Sequence, residues 1–168
     1  MKIFYPTSVG FFTTTNMILR VLLFLVINFG ALAIGSLFTS DGVASDWYQN
    51  LDKAPWTPPG WSFGVAWSTI MICFSFYMAY LWSAIDCKRS LFIAYVIQLV
   101  LNIGWNPVFF YFNYSFFGLI IISLLTITVF YLLYTFYSNL KAKSILILPY
   151  VIWLLIATSL NAYIVIKN

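Results

Sequence analysis

The sequence contains no histidine and no glutamate, and its acidic residues are Asp41, Asp46, Asp52 and Asp86. Without histidine it lacks the commonest general base, metal ligand and haem axial ligand of proteins. It also has no glycine-rich phosphate loop, no nucleophile elbow and no plausible Ser/His/Asp set. We therefore expect neither hydrolytic nor metal-assisted catalysis, and we predict no metal site.

Charge is scarce as well, at 7% of residues, and cysteine occurs only at Cys73 and Cys87. All the aspartates fall in predicted loops, so no carboxylate lies at membrane depth, where ion-coupled transporters usually need one. The cysteines have neither C-x-x-C nor metal-site spacing, and their positions within and just after one predicted span disfavour a disulfide. These absences argue against an ion-coupled carrier and against a cysteine-based metal centre.

The chain is instead rich in apolar residues. Of its 168 residues, 63% are hydrophobic, and the mean hydropathy is +0.96, which excludes a soluble globular domain. A bilayer needs about 20 consecutive apolar residues per spanning helix, and about five such stretches occur. We predict an all-α membrane protein, a five-transmembrane-helix bundle that forms a single domain over residues 1–168. The predicted spans are residues 17–38, 62–82, 91–110, 116–137 and 144–166.

The first apolar stretch has an alternative interpretation as a secretory signal. A run of about 18 residues or more is long for that role. The spacing of Ala31 and Gly35 in the same stretch also suits the close approach of two helices. We therefore assign this stretch as a membrane span.

Lysine and arginine are distributed unequally between the two predicted sides of the membrane. One side carries only Lys53 and Lys167. By the positive-inside rule the other side faces the cytoplasm, which places the N-terminus there and the loop between the first two spans outside. We predict a multi-pass protein of a bacterial inner membrane; the net charge of +4 reflects this topology and does not indicate a nucleic-acid partner. The cytoplasmic group is Lys2, Arg20, Lys88, Arg89, Lys141 and Lys143.

The segment from Trp47 to Trp67 combines four tryptophans and a tyrosine with three prolines. Tryptophan and tyrosine rings favour the level of the lipid headgroups, and the proline-rich part cannot be helical. The segment is therefore predicted to be a rigid aromatic cap beside the membrane, over the bundle. The alternative is that each tryptophan near a span end is only an interfacial anchor.

Two predicted spans place distinctive side chains on one helical face. In the third span Gln98, Asn102 and Trp105 recur at i, i+4 and i+7, which puts two amides and an indole on one side. An equally open interpretation is that the two amides only hydrogen-bond across helices. In the fifth span a large ring lies beside a small residue, as in a pocket wall. The residues of that face are Trp153, Ala157, Leu160 and Asn161.

The order of these motifs resembles that of the TspO/MBR family, the tryptophan-rich sensory proteins and translocator proteins. The resemblance runs from about Gly30 to the C-terminus and is far more specific than hydrophobicity. It also agrees with the five spans assigned independently. The motifs are W-Y-x-x-L-x-K-x-P-W-x-P-P-x-W from Trp47 to Trp61, then Trp67, L-N-x-x-W-x-P-x-F-F from Leu101, P-Y-x-x-W from Pro149, and Leu160-Asn161.

The resemblance implies a five-helix bundle, often a homodimer, that binds porphyrins and other tetrapyrroles, sterols and benzodiazepine-type ligands. No cofactor is required, since a haem-type tetrapyrrole would be the ligand itself. The family's pocket opens under the first loop and holds its ligands mainly by apolar and stacking contacts, with Trp67 and Asn102 as the expected polar partners. Carried over by motif, the lining would be Ser36, Trp47, Tyr48, Phe63, Gly64, Trp67, Asn102, Trp105, Trp153, Ala157 and Leu160.

We therefore predict tetrapyrrole binding for sensing, transport or stress-related disposal. One alternative, implied by relatives that degrade protoporphyrin in light, is an enzyme with Trp67 and Trp153 as redox partners. Another is a passive carrier of sterol or porphyrin, because the missing carboxylates argue only against ion coupling. A short sterol-contact pattern, Leu160-x-x-Tyr163-x-x-x-Lys167, matches the family's recognition segment in position, although lysine stands where animal members have arginine.

Overall fold

The computed structural model describes residues 8–168, with side chains from residue 16 onward, so that Lys2 lies outside the described residues. Within that range the chain is helical apart from short connections, and the all-α prediction is confirmed. The elements are α1 (Ser8–Ala44), α2 (Asp46–Asn50), α3 (Gly60–Ala84), α4 (Arg89–Asn106) followed by a π-helical turn (Pro107–Tyr111), α5 (Ser115–Leu140), a 3₁₀ segment (Lys141–Ile147) and α6 (Leu148–Lys167).

Four continuous helical stretches of the described residues are long and apolar enough to cross a membrane. The last contains 53 residues, which as one helix would be about 80 Å long, against a hydrocarbon core of about 30 Å. It is instead a hairpin, because the hydroxyls of Thr126 in α5 and Thr158 in α6 lie 3.1 Å apart. The Asn161 side chain likewise donates to the Ser115 carbonyl at 2.9 Å. Five long helices in the described part of the chain thus form the bundle of a multi-pass membrane protein.

Several helices extend beyond the boundaries predicted for the membrane spans. α1 continues to Ala44 instead of ending at residue 38, since no proline follows its start until Pro55. The predicted first loop begins with a helical turn, α2, because the Ser45 hydroxyl accepts a hydrogen bond from the Tyr48 N–H at 3.3 Å and caps it. The proline-containing residues 51–59 are not helical, as predicted.

α1 approaches its neighbours closely through glycine. A Cβ atom at Gly35 would lie 2.6 Å from the Asn106 amide nitrogen, and one at Gly42 would lie 2.3 Å from the Phe110 Cβ. At Gly42 the neighbouring atom is fixed to the backbone, so only glycine permits this packing, whereas at Gly35 the end of the Asn106 side chain could move aside. Ala31 is buried one turn earlier. The close helix approach predicted from the Ala31/Gly35 spacing is therefore present.

A buried polar cluster, which we call the Asn28 cluster, joins α1, α3 and α4. Asn28 donates through its amide nitrogen to the Ser75 hydroxyl and accepts through its oxygen from the Tyr95 hydroxyl, both at 2.9 Å. Ser75 in turn donates to the Met71 carbonyl at 2.6 Å. Since an unpaired polar group is costly at membrane depth, these bonds fix the three helices relative to one another. The apolar core around them includes Phe74, Tyr77, Met78, Leu132 and Leu154.

One end of the bundle, the basic end, comprises residues 80–90 and 141–147. Arg20 of α1 hydrogen-bonds to the last turn of α3 here. The Lys143 ammonium lies 4.1 Å from the centre of the Tyr80 ring, also in α3. Cationic residues from separate parts of the chain thus meet at one end of α3, as the charge distribution predicts.

The other end, the loop end, comprises residues 45–59, 107–115 and 160–168. The Asp52 N–H donates to the side-chain oxygen of Asn168 at 2.9 Å. The first loop and the C-terminal turn of α6 therefore meet, on the side opposite the basic end.

Candidate ligand-binding site

α2 seats the first loop on the bundle through aromatic contacts. Trp47 meets Phe109 edge-on, with 5.5 Å between ring centres, and Tyr48 lies 5.5 Å from Phe110. The Lys53 ammonium lies 4.6 Å from the centre of the Tyr48 ring. Burial raises the pKa of the Tyr48 phenol, since the charged form is disfavoured away from water. The loop is therefore held by ring packing and a cation–π contact around a neutral phenol.

The surface that receives α2 is shaped by the π-helical turn after α4. Pro107 has no N–H to donate, so the α-helical pattern is interrupted, and the Phe112 N–H bonds to the Pro107 carbonyl at 2.9 Å instead. The turn buries Phe109 and Phe110. Phe109 stacks on Trp105, with 5.1 Å between centres and 14° between planes. α2, the turn and Trp105 together form what we call the aromatic stack.

Beneath the aromatic stack, Tyr150 of α6 accepts hydrogen bonds from two amides of α4. Asn102 Nδ2 donates to its hydroxyl at 2.6 Å and Gln98 Nε2 donates at 2.7 Å. Gln98 and Asn102 are buried and Trp105 is partly buried, so the face predicted from the spacing of these three residues does point into the bundle. Both amides hydrogen-bond across helices, as the alternative interpretation of this face expects.

Two ring pairs connect α3 to α6. Trp67 meets Tyr150 edge-on at 6.0 Å, and Phe63 meets Trp153 edge-on at 5.2 Å. The Trp153 indole N–H is buried without a hydrogen-bond partner among the described residues, and so is Gln98 Oε1. A buried polar atom without a partner costs about 1–3 kcal/mol. One donor and one acceptor in this region therefore have unused hydrogen-bonding capacity.

The Trp105 indole is bonded differently from that of Trp153. Its N–H donates to Asn161 Oδ1 at 3.1 Å, and the Asn161 nitrogen donates to the Ser115 carbonyl at 2.9 Å. This chain links α4, α5 and α6 under the aromatic stack. The N–H of Trp105 is therefore already used within the protein.

The predicted lining residues separate into two groups. Ser36 and Gly64 are exposed; the Ser36 hydroxyl donates to the Ala33 carbonyl at 2.7 Å, and nothing lies within 4 Å of a Cβ built on Gly64. Neither residue lies among the packed aromatic side chains. Two open clefts lie at the basic end, and no predicted lining residue borders either of them. The residues buried in or packed against the core and the aromatic stack are Trp47, Tyr48, Phe63, Trp67, Asn102, Trp105, Trp153, Ala157 and Leu160.

The sterol-contact pattern runs along α6 at the loop end. Leu160 is buried, Tyr163 is half-buried and Lys167 is exposed. Tyr163 packs edge-on against Trp56 at 5.4 Å, and the Trp56 indole donates to the Ser159 hydroxyl at 3.2 Å. The first loop therefore covers part of this pattern, and its role in sterol contact stays a prediction.

Sequence reasoning missed Tyr150, Phe109 and Phe110 as parts of the site. Tyr150 stands one turn before Trp153 in the motif that begins at Pro149, which places both on one face of α6. The two phenylalanines follow Pro107, a signal for an irregular turn. Those signals are present in the sequence, but the sequence does not show which residues Tyr150, Phe109 and Phe110 contact.

The chain is similar to known proteins over most of its length. The model of the TspO/MBR family matches residues 21–166, a range that contains every predicted lining residue. The tryptophan-rich protein TspO of Archaeoglobus fulgidus is 36% identical over 139 residues, covering 80% of this chain and 87% of that protein. Protein CrtK of Rhodobacter capsulatus is 32% identical over 133 residues (77% and 80%). The human translocator protein is 27% identical over 132 residues (76% and 78%).

Proposed function

The chain belongs to the TspO/MBR family, and from that premise we propose that it binds a tetrapyrrole such as protoporphyrin between α3, α4 and α6. Its helical bundle and its relatives are consistent with a sensory or transport role, and tetrapyrrole binding would serve sensing, transport or disposal. The observation that supports the proposal most directly is the buried, unpaired indole N–H of Trp153 among aromatic rings.

The rings around Trp153 suit a flat aromatic ligand. Phe63 and Trp67 meet their α6 partners edge-on, and each such aromatic contact contributes about 0.5–1.5 kcal/mol. A planar macrocycle inserted between α3 and α6 exchanges these edge contacts for larger stacked ones. The loss of the internal contacts is therefore offset by contacts with the ligand.

The unpaired polar atoms match the polar groups of protoporphyrin. The Trp153 N–H would donate to a propionate carboxylate, and a hydrogen bond to a charged acceptor is about twice as strong as a neutral one. Gln98 Oε1 would accept from the hydroxyl of the other propionic acid group in its protonated form, since the pyrrole N–H groups point into the centre of the macrocycle. Both buried atoms would then be satisfied, which removes a cost that the unliganded protein bears.

The test is a titration of purified protein with protoporphyrin, followed by the shift of porphyrin absorbance and by saturable quenching of tryptophan fluorescence. Trp153→Phe keeps a ring but removes the N–H, so we expect affinity to fall about tenfold, or about 1.4 kcal/mol. The matched control is Trp61→Phe, because Trp61 is a tryptophan in the first turn of α3 that is 72% exposed. Equal affinities for the two variants would refute the proposed site.

Light-dependent degradation of protoporphyrin stays an alternative, favoured by the position of both Trp67 and Trp153 in this region. Illumination of the complex would then give a new absorbing product that the dark control lacks. Trp67→Phe and Trp153→Phe should abolish the product without abolishing binding of the porphyrin. A product formed equally by both variants would exclude a role for these indoles.

The passive-carrier function and the homodimer also stay predictions. Flux of porphyrin or sterol into liposomes that contain the protein tests the first. The mass of the protein–detergent complex, measured by light scattering, tests the second. A rate no higher than that of empty liposomes, or the mass of a single chain, would contradict the respective prediction.

We propose further that the basic end faces the cytoplasm of a bacterial inner membrane. Cys87 is an exposed thiol at this end, and Cys73 is partly buried. Cys87 can therefore be labelled to determine on which side of the membrane the basic end lies. In a Cys73→Ser background, a membrane-impermeant maleimide should label Cys87 only after spheroplasts are permeabilised. Labelling of Cys87 in intact spheroplasts would contradict the proposed orientation.

A further inference from the structure

An open cleft of about 550 Å³ lies where α5 and α6 are joined at the basic end. Its walls are apolar and aromatic, with Phe130 and Tyr134 from α5 and Ile145 and Leu148 from the other side. Tyr134 is 88% exposed and Ile145 is 66% exposed. Because these residues lie on the outer surface of a membrane-spanning hairpin, the cleft opens toward lipid.

Two polar side chains also line this cleft, Lys141 and Ser144. Ser144 is only 4% exposed, yet its hydroxyl makes no hydrogen bond with any part of the chain that the structure describes. Lys141, the residue directly after α5, has a φ of 49°, a left-handed value that glycine adopts far more easily than lysine. The cleft thus holds a hydroxyl donor without a partner among the described residues and a lysine with an unfavourable backbone conformation.

The surroundings of the cleft are cationic. A second cleft of about 370 Å³ flanks the same 3₁₀ segment and includes Lys143, whose ammonium lies 4.1 Å from the centre of the Tyr80 ring. The acidic residue at the basic end is Asp86, in the connection between α3 and α4. Against it stand Arg20, Lys88, Arg89, Lys141 and Lys143. The charge of this end therefore complements an anion.

From this geometry we propose that the α5–α6 junction binds an anionic phospholipid. One acyl chain lies along the apolar walls, the Ser144 hydroxyl donates to a phosphate oxygen, and Lys141 supplies the opposite charge. Free phosphate lacks the chain that would cover the walls, and a zwitterionic headgroup brings a cation to an end that already carries several. This site is separate from the proposed tetrapyrrole site, because no predicted lining residue of that site borders the cleft.

The test is thermal unfolding of the full chain in a neutral detergent, with added dioleoyl phosphatidylglycerol, dioleoyl phosphatidylcholine or inorganic phosphate. We expect phosphatidylglycerol alone to raise the melting temperature, saturably. Lys141→Gly should fold, because glycine relieves the backbone conformation, but should bind phosphatidylglycerol about fivefold more weakly. Ser144→Ala should also weaken binding, through loss of the donor.

Two controls match the main variant. Asn113→Gly relieves the same kind of backbone conformation, φ 59°, at the loop end without changing charge, and Lys167→Gln removes one positive charge from that end. Both should keep the wild-type response to phosphatidylglycerol. The proposal is overturned if Lys141→Gly also keeps it, if Lys167→Gln loses as much, or if phosphatidylcholine or phosphate alone gives the same shift.

Discussion

Two buried polar clusters lie in one bundle but differ in how completely they are hydrogen-bonded. In the Asn28 cluster, the amide nitrogen and oxygen of Asn28 bond to Ser75 and Tyr95. In the second cluster, which we call the Tyr150 cluster, one hydroxyl accepts from two amides. There Gln98 Oε1 is left without a partner in the described residues. The first cluster is complete by itself, whereas the second can still bond to a ligand.

The difference shows that a polar residue at membrane depth does not by itself mark a binding site. Both clusters bury amides and tyrosines between helices, and both would look alike in a list of polar residues within spans. The Asn28 cluster joins α1, α3 and α4 as a structural contact. The Tyr150 cluster lies beside the Trp67 and Trp153 rings, so its unused capacity coincides with aromatic surface.

The largest effect is expected from Tyr150→Phe. The variant keeps the ring that packs against Phe74 at 5.3 Å but removes the acceptor of two buried amide donors. We expect unfolding in detergent, followed by circular dichroism, to show a loss of about 2 kcal/mol, or about 1 for each donor. Tyr134→Phe, at an exposed position, should show no loss. Similar melting of the two variants would contradict the role of Tyr150 as a shared acceptor.

A smaller effect is expected from Asn28→Leu, which breaks the complete cluster. The Tyr95 hydroxyl then loses its acceptor, at a cost of about 1–2 kcal/mol in the same melting assay. Adding Tyr95→Phe removes the stranded hydroxyl and should recover part of that loss. Affinity for protoporphyrin should not change in either variant. A drop in affinity would mean that the Asn28 cluster also belongs to the binding site.

The smallest effect on stability is expected from Gln98→Leu. It removes one hydrogen bond to Tyr150 but also removes the buried unpaired oxygen, so the two changes nearly cancel and stability should shift by at most about 0.5 kcal/mol. Binding of protoporphyrin should weaken nevertheless, as measured by absorbance titration. If Gln98→Leu destabilises the protein as much as Asn28→Leu does, the two clusters do not differ as described.

Local pattern was sufficient for much of the fold and for part of the site. The face of Gln98, Asn102 and Trp105 follows from helical periodicity alone, and it does point into the bundle. The partner of the two amides could not be predicted, because Tyr150 meets them only through the packing of α4 against α6. Motif carry-over placed Ser36 in the lining, but a motif specifies a position along the chain and not the direction of the side chain, which is exposed.

By itself the sequence determined the apolar spans, the separation of charge between the two ends, the aromatic first loop and the family. Each of these depends on composition or on spacing within one segment, and helical periodicity converts such spacing into a position on one face of the helix. Only the tertiary structure decided which buried polar atoms are paired. The Trp105 N–H is bonded to Asn161 while the Trp153 N–H is free of a partner among the described residues. Hydrogen bonds act over about 3 Å, and such distances between helices are set by packing.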